Sequence, residues 1–419
     1  MFTKFISEFE DNIQGLRDFV QLINPILEEH QKKIEKESAI YLKPIELAIQ
    51  RHLEEDVFEK EKLDVKFKEI FEGDIKVEID EEKNISFSIN GDSTSIDEAF
   101  AKMGKTQFQK EQLYKSSFIS LLSSVEWFYS QILHFHYEKY PDSASINKKS
   151  ITLDDLKTFD TIKDAENYLI DQKIEGILRG SLSDWLQVLK EEIKLSLSYI
   201  DNYLDDLIEV YQRRNLLVHN GGIVNSIYLS KVSKSHSKDI KIGEKLFVTK
   251  EYLDSAIDQF HLIFILIACE LWKKIEPTCD HRGQNVMIIG YDYLVKNNWK
   301  VSRTANQFLL HDKKMPIANR TAAQLNIWLC NKEENGYDSV MKELAEIDYS
   351  DKSLLYQVAL SALKRENDFC FSNLPQLLKS EELEPSDLIE FPIFKELRED
   401  KKFEELCKSD ETMINYLSK

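Results

Sequence analysis

This 419-residue sequence predicts a mainly α-helical protein, and three features support that reading. Twelve glycines and eight prolines are too few for a many-turned β architecture. Apolar residues return every three or four positions over most of the chain, the period of amphipathic helices. Only one short stretch, about residues 75–89, switches to the period of two that marks strands. The length fits roughly two to four domains. With 42% apolar and 31% charged residues, the chain has enough apolar surface for substantial cores and is not of disordered type.

Residues 1–106 read as an acidic helical region. Ile13, Leu16, Phe19, Val20, Ile23 and Ile26 form one face of a helix. Ile75, Val77 and Ile79, then Ile85, Phe87 and Ile89, alternate with polar residues around a turn at 80–84, which predicts a β-hairpin. From Gln107 the helical period returns with Phe118, Leu121, Leu122, Val125, Tyr129 and Ile132, and breaks at 141–145. Thr152-x-x-Asp155 and Thr161-x-x-Asp164 have the form of capping boxes. A further helix is predicted from about Ser183 or Asp184 to the stop at Asn220-Gly221-Gly222. A Lys/Ser-rich loop, 230–245, leads to an apolar helix over about 250–274, so residues 107–276 read as a helical bundle. In residues 277–419 a spacing of 34 recurs at Leu329, Leu363 and Leu397, with Leu344 and Leu378 at the same offset. This is the helix-turn-helix period of tetratricopeptide repeats; a TPR-like domain, or a non-repetitive helical cap in its place, would dock a protein partner or regulator.

Composition narrows the function classes. With 55 basic against 74 acidic residues the chain carries a net charge of −19, so nonspecific polyanion binding is excluded and any nucleic acid must meet a local basic site. Residues 211–250 supply one, with eight Lys or Arg against Asp239 and Glu244, while residues 1–106 carry −10. That contrast predicts an N-terminal region able to mask the basic segment. The longest apolar run, Phe260 to Trp272, is short of the ~20 residues of a membrane span, and the first residues lack the pattern of a signal peptide. Five cysteines, odd in number and without a CxxC, argue against disulfides or structural zinc and for a reducing cytoplasm.

One stretch carries chemistry: Arg213-Arg214-Asn215-Leu216-Leu217-Val218-His219-Asn220-Gly221-Gly222. On a helix stepping 100° per residue, Ile200, Tyr203, Tyr211 and Val218 fall within about 40° of Leu207, and Arg214 within about 20°. An arginine centred on an apolar stripe needs a carboxylate, a neighbouring subunit or a phosphate, because it cannot shed its charge. Glu126 on the first bundle helix is a candidate carboxylate. His219, about 140° further round at the helix end, suits proton transfer. Lys231, Lys234, Lys238, Lys241 and Lys245 make the following loop a candidate phosphate guide. His134 and His136 read as core-edge residues, and the five tryptophans as core packing.

Arg214-Asn215-x-x-x-His219 within a helical bundle resembles the HEPN superfamily, whose signature is Arg, a polar residue, then His after four to six positions. The run from Ile151 to Val224 looks like the HEPN domains of bacterial abortive-infection and antiphage proteins, over residues 107–276. The resemblance implies a central HEPN bundle acting as a homodimer, and a metal-independent endoribonuclease with no cofactor. In it Arg214 would stabilise the charged phosphorane, His219 would assist proton transfer, and Asn215 would orient the phosphate or the histidine. Arg213 would share in RNA binding with Lys231, Lys234, Lys238 and Lys241. The other reading is a non-catalytic RNA-binding or scaffold protein that dimerises through the bundle.

Overall fold

The computed structural model describes residues 2–80, 83–144, 150–279 and 281–418; parts of the turn at 80–84 and of the break at 141–145 lie outside these. The described residues are mainly helical, with one two-stranded sheet. Helix α1 (Phe2–Leu53) is followed by α2 (Val57–Ile70), strands β1 (Gly73–Ile79) and β2 (Ile85–Gly91), and α3 (Thr94–Lys139). After α4 (Leu153–Leu156), α5 (Ile162–Leu178) and α6 (Leu182–Gln187), the chain reaches α7 (Leu204–His219), α8 (Ser226–Lys231), α9 (Lys234–Ser237) and α10 (Lys250–Ile275). The remaining helices are α11 (His281–Val295), α12 (Trp299–His311), α13 (Ile317–Asn335), α14 (Asp338–Ala345), α15 (Leu354–Lys364), α16 (Asn367–Lys379), α17 (Pro385–Glu390), α18 (Lys395–Arg398), α19 (Lys401–Ser409) and α20 (Glu411–Leu417).

The apolar spacing of α1 has a specific partner. Phe2, Phe5, Phe9, Ile13 and Val20 are buried against α3 and α10. Phe9 stacks on Phe128 at 4.1 Å and Phe2 on Trp272 at 5.1 Å, contacts worth about 1 kcal/mol each beyond area burial. The first half of α1 is therefore a bundle element, and α3 runs unbroken through residue 106. The apolar face of these first residues is inside the core, so this part of the acidic region is fixed to the bundle. Only the far end stands apart. There Ile45, Leu47 and Ala48 of α1, Phe67 of α2 and Ile75 and Val77 of β1 form a separate small core. The hairpin pairs Ile75 with Ile89 and Val77 with Phe87, as the alternation predicts. Arg51 ties this end together through Asp64 (3.1 Å) and Asp74 (3.0 Å).

One expected element differs. The helix read from 183 to 220 is interrupted by a π turn, Val188–Glu192, and by Lys194, which takes a left-handed conformation (φ 61°). The chain restarts through a 3-10 turn at Ser198–Ile200, so α7 is a shorter, independent helix. Helix α10 is the central strut. It is the one described helix long and apolar enough to cross a membrane by length and composition, and 78% of its apolar window is buried inside the protein. Arg282 closes its end: 1% exposed, it pairs with Asp312 at 3.0 Å and donates to the carbonyls of Glu276, Cys279 and Pro277. The C-terminal helices build a second core in which the recurring Leu329, Leu344, Leu363, Leu378 and Leu397 are all buried.

Burial of two histidines makes stability pH-dependent. Desolvation disfavours the imidazolium of His136 and His261, pushing them down to about 4 and about 3. The unfolded chain takes up these protons below about pH 6.5 and the fold resists them, so their contribution is present above pH 6.5 and is lost as pH falls. Glu10, pushed up to about 7 by burial and by Asp11 and Asp292, acts in the opposite sense. Denaturant titrations between pH 7 and 5 should therefore show His136→Gln losing less stability than wild type, by up to about 2 kcal/mol at pH 5. Equal slopes would refute a neutral His136 in the folded state.

Candidate functional site

Helix α7 is fixed by a buried carboxylate. Glu209, 2% exposed, accepts hydrogen bonds from Arg213 Nε (2.7 Å), the Tyr228 hydroxyl (2.6 Å) and the Tyr252 hydroxyl (2.6 Å). These tie α7 to itself, to α8 and to α10. The Arg213 guanidinium also lies over the Tyr252 ring at 4.2 Å and donates to the Phe247 carbonyl. A buried charge is tolerated only when it is paired and hydrogen-bonded, and this one is met three times. Arg213, expected to touch RNA, is thus committed to the interior and does not line the cleft described below.

The helix ends as its glycines require. Gly221 and Gly222 have φ of 61° and 88°, and a Cβ on Gly222 would lie 2.8 Å from the Leu246 carbonyl oxygen. Gly222 N–H donates to the Leu216 carbonyl, and Leu246 N–H returns a bond to Gly222. The chain then turns into α8, capped by the Asn225 side chain. Leu216, Val224, Tyr228, Val232 and Leu246 form a satellite core that sets α8 beside the end of α7.

Between α7, α8 and the turn joining α5 to α6 lies a polar cleft of about 550 Å³. Arg214, Asn215 and His219 all line it, with Lys231 of α8, Arg179 and Ser181 of the turn, and Glu126 of α3. The 140° that separates Arg214 from His219 on an ideal helix is spanned because the cleft wraps around the end of α7. Its walls carry three cations, Arg179, Arg214 and Lys231, against one carboxylate. Arg214 pairs with Glu126 at 3.0 Å and donates to Asn215 Oδ1 at 3.1 Å, while its buried Nε has no partner. Desolvation raises the Glu126 carboxyl above its ordinary range and Arg214 pulls it back. His219 is exposed at the mouth. No residue of 1–106 lines the cleft.

The other expected contacts fall elsewhere. Lys234, Lys238 and Lys241 are exposed on α9 and the loop after it, outside the cleft. The His236 imidazole lies 3.0 Å from Asp206 at the start of α7. The sequence did not reveal Arg179 or Ser181. The capping box Ser181-x-x-Asp184 marks their turn but says nothing of what it faces. Ser181 is occupied there, donating to Asp184 Oδ2 at 2.7 Å. His134 and His136 sit at the bundle edge and in its interior. Trp185, Trp272 and Trp328 are core residues as expected, whereas Trp127 is 36% exposed because it points off the outer face of α3. All five cysteines are free, and among the described residues no three His, Cys, Asp or Glu side chains gather as a metal site. Compared with protein-family models, curated proteins and solved structures, the chain matches none.

The chemistry open to this cleft is anion binding, with Glu126 competing for Arg214. Glu126→Gln should tighten binding of a fluorescent single-stranded phosphodiester oligonucleotide about 3- to 10-fold, since the competing ion pair is worth on the order of 1 kcal/mol. Anisotropy titrations showing unchanged or weaker binding would mean that Glu126 supports the site.

Proposed function

We propose that the chain is a metal-independent endoribonuclease of the HEPN type, active as a homodimer in the cytoplasm, in antiphage defence or a toxin system. The observation that supports this reading is the convergence of Arg214, Asn215 and His219 on one open, net-cationic cleft. RNA brings its own nucleophile. The 2′-OH attacks the adjacent phosphorus, the P–O5′ bond breaks, and a 2′,3′-cyclic phosphate and a 5′-OH result. Arg214, on the wall of the cleft, stabilises the charge that develops on the phosphorane oxygens. His219 takes or returns a proton at the mouth, and a second copy of the motif across a twofold axis supplies the complementary transfer. Asn215 orients Arg214 through its side-chain oxygen. Lys231 and Arg179 guide the flanking phosphates. The C-terminal helices, TPR-like in their 34-residue spacing, dock a protein partner or regulator.

A second reading has its own observation. The Arg214–Glu126 ion pair satisfies the arginine within one chain, as a scaffold or non-catalytic RNA-binding protein would have it. Incubating the purified protein with total RNA in EDTA separates the two. Wild type is expected to cleave and leave cyclic-phosphate ends. Arg214→Ala should lose about 10²- to 10³-fold and His219→Ala about 10²- to 10⁴-fold in rate. Cleavage unchanged in both variants would remove the site from these residues. RNA binding without cleavage, together with an intact dimer, would favour the scaffold.

A further inference from the structure

The C-terminal helices enclose a second cavity, of about 310 Å³, far from α7 in the chain and independent of the RNA reading. It is lined from α11, α12, α13 and α15 and from the segment 382–394. Space exists because Ala322 of α13 and Ala359 of α15 present only methyl groups to it. Large side chains there would close a cavity that served packing alone. One wall is flat. Tyr291 stacks on Phe391 with ring centres 5.3 Å apart and planes 13° from parallel.

The charged groups at this cavity are carboxylates, beside the hydroxyls of Tyr291 and Tyr356 and the carboxamides of Asn306, Asn319 and Asn326. Asn326 donates its amide to Asn306 at 3.1 Å, which fixes its carboxamide, and among the described residues no donor reaches its own oxygen. The carboxylates of Asp387 and Glu382 lie at the rim. Among the described residues Asp387 has no ion pair or side-chain hydrogen bond, and Glu382 accepts only from Ser380 at 3.4 Å. No Lys or Arg lines the cavity. Burial and the nearby Asp387 both raise the Tyr291 phenol above its ordinary range, so the negative field reaches the aromatic wall.

From this juxtaposition we propose that the cavity binds a small organic cation: a flat apolar body against Tyr291 and Phe391, and an ammonium or amidinium group donating to Asp387, Glu382 and Asn326. A volume at the lower end of the ~300–1,000 Å³ range of small-ligand sites fits a free molecule of one or two rings. Phosphate-bearing ligands are disfavoured by the two carboxylates.

Calorimetric titration of the full chain with tryptamine, benzamidine and indole-3-acetate tests this. At least one of the two cations should bind one-to-one with a Kd of about 10 μM to 1 mM, and indole-3-acetate at least about tenfold more weakly, as one lost charge contact would give. The double variant E382Q/D387N should erase that preference. Ala322→Phe, which fills the cavity, should abolish binding while the thermal unfolding midpoint shows that the chain remains folded. Failure of both cations to bind, equal binding of the anion, or binding that survives Ala322→Phe would overturn the proposal. A Trp-Lys peptide binding more tightly than tryptamine would overturn the assignment to a free small molecule.

Discussion

The buried carboxylate of Glu209 is the constraint on which the cleft depends. Consecutive helical residues diverge by about 100°, so two adjacent arginines cannot share one environment. With Arg213 held in the interior by Glu209 and the Tyr252 ring, Arg214 is turned toward α3 and the cleft. The same carboxylate takes the hydroxyls of Tyr228 and Tyr252, fixing α8 and α10 relative to α7. Removing it would take the shared carboxylate from Arg213 and from the hydroxyls of Tyr228 and Tyr252, a loss of several kcal/mol. One interaction thus orients the exposed arginine and the wall opposite it.

Around that point the bundle repeats the same logic at larger scale. The aromatic stacks of Phe2 and Phe9 join the first residues to α3 and α10. Arg17, paired with Asp258 at 2.6 Å and donating to Tyr293, links α1 through α10 to α11. Arg282 with Asp312 closes the passage from α10 to the C-terminal helices. Arg17 and Arg282 each meet a carboxylate, as Arg214 meets Glu126, and the buried Nε of Arg214 is left without a partner.

Much of this was legible in the sequence. The sparse glycine and the 3.6-residue period announced the helices, and strict alternation located the hairpin. Arg214 stood out because an arginine on an apolar stripe demands a partner, for which Glu126 was a candidate, His219 because it sits at a helix end, and Asn215 through the motif resemblance. Other features were hidden for physical reasons. Glu209 and Arg213 are an i,i+4 pair of the kind that is usually solvated, so their burial depends on Tyr228 and Tyr252 arriving from elsewhere. Val218 shares the apolar stripe by angle but is 47% exposed, because the stripe loses its partner near the helix end. Lys194 adopts a left-handed conformation that its residue type does not announce, which is why one helix was read where the chain has a break. The charge contrast between residues 1–106 and 211–250 said nothing about packing, and the apolar face of the first half of α1 is in the core.

The central claim is that Arg214, Asn215 and His219 form one phosphate-binding cleft. The most direct test is to follow the His219 imidazole by NMR while titrating a non-cleavable 2′-O-methyl RNA oligonucleotide into wild type and Arg214→Ala. Saturable movement of the His219 resonances in wild type, lost in Arg214→Ala while the remaining spectrum is unchanged, is the predicted result. RNA binding that leaves His219 unmoved, or moves it equally in both proteins, would contradict the account.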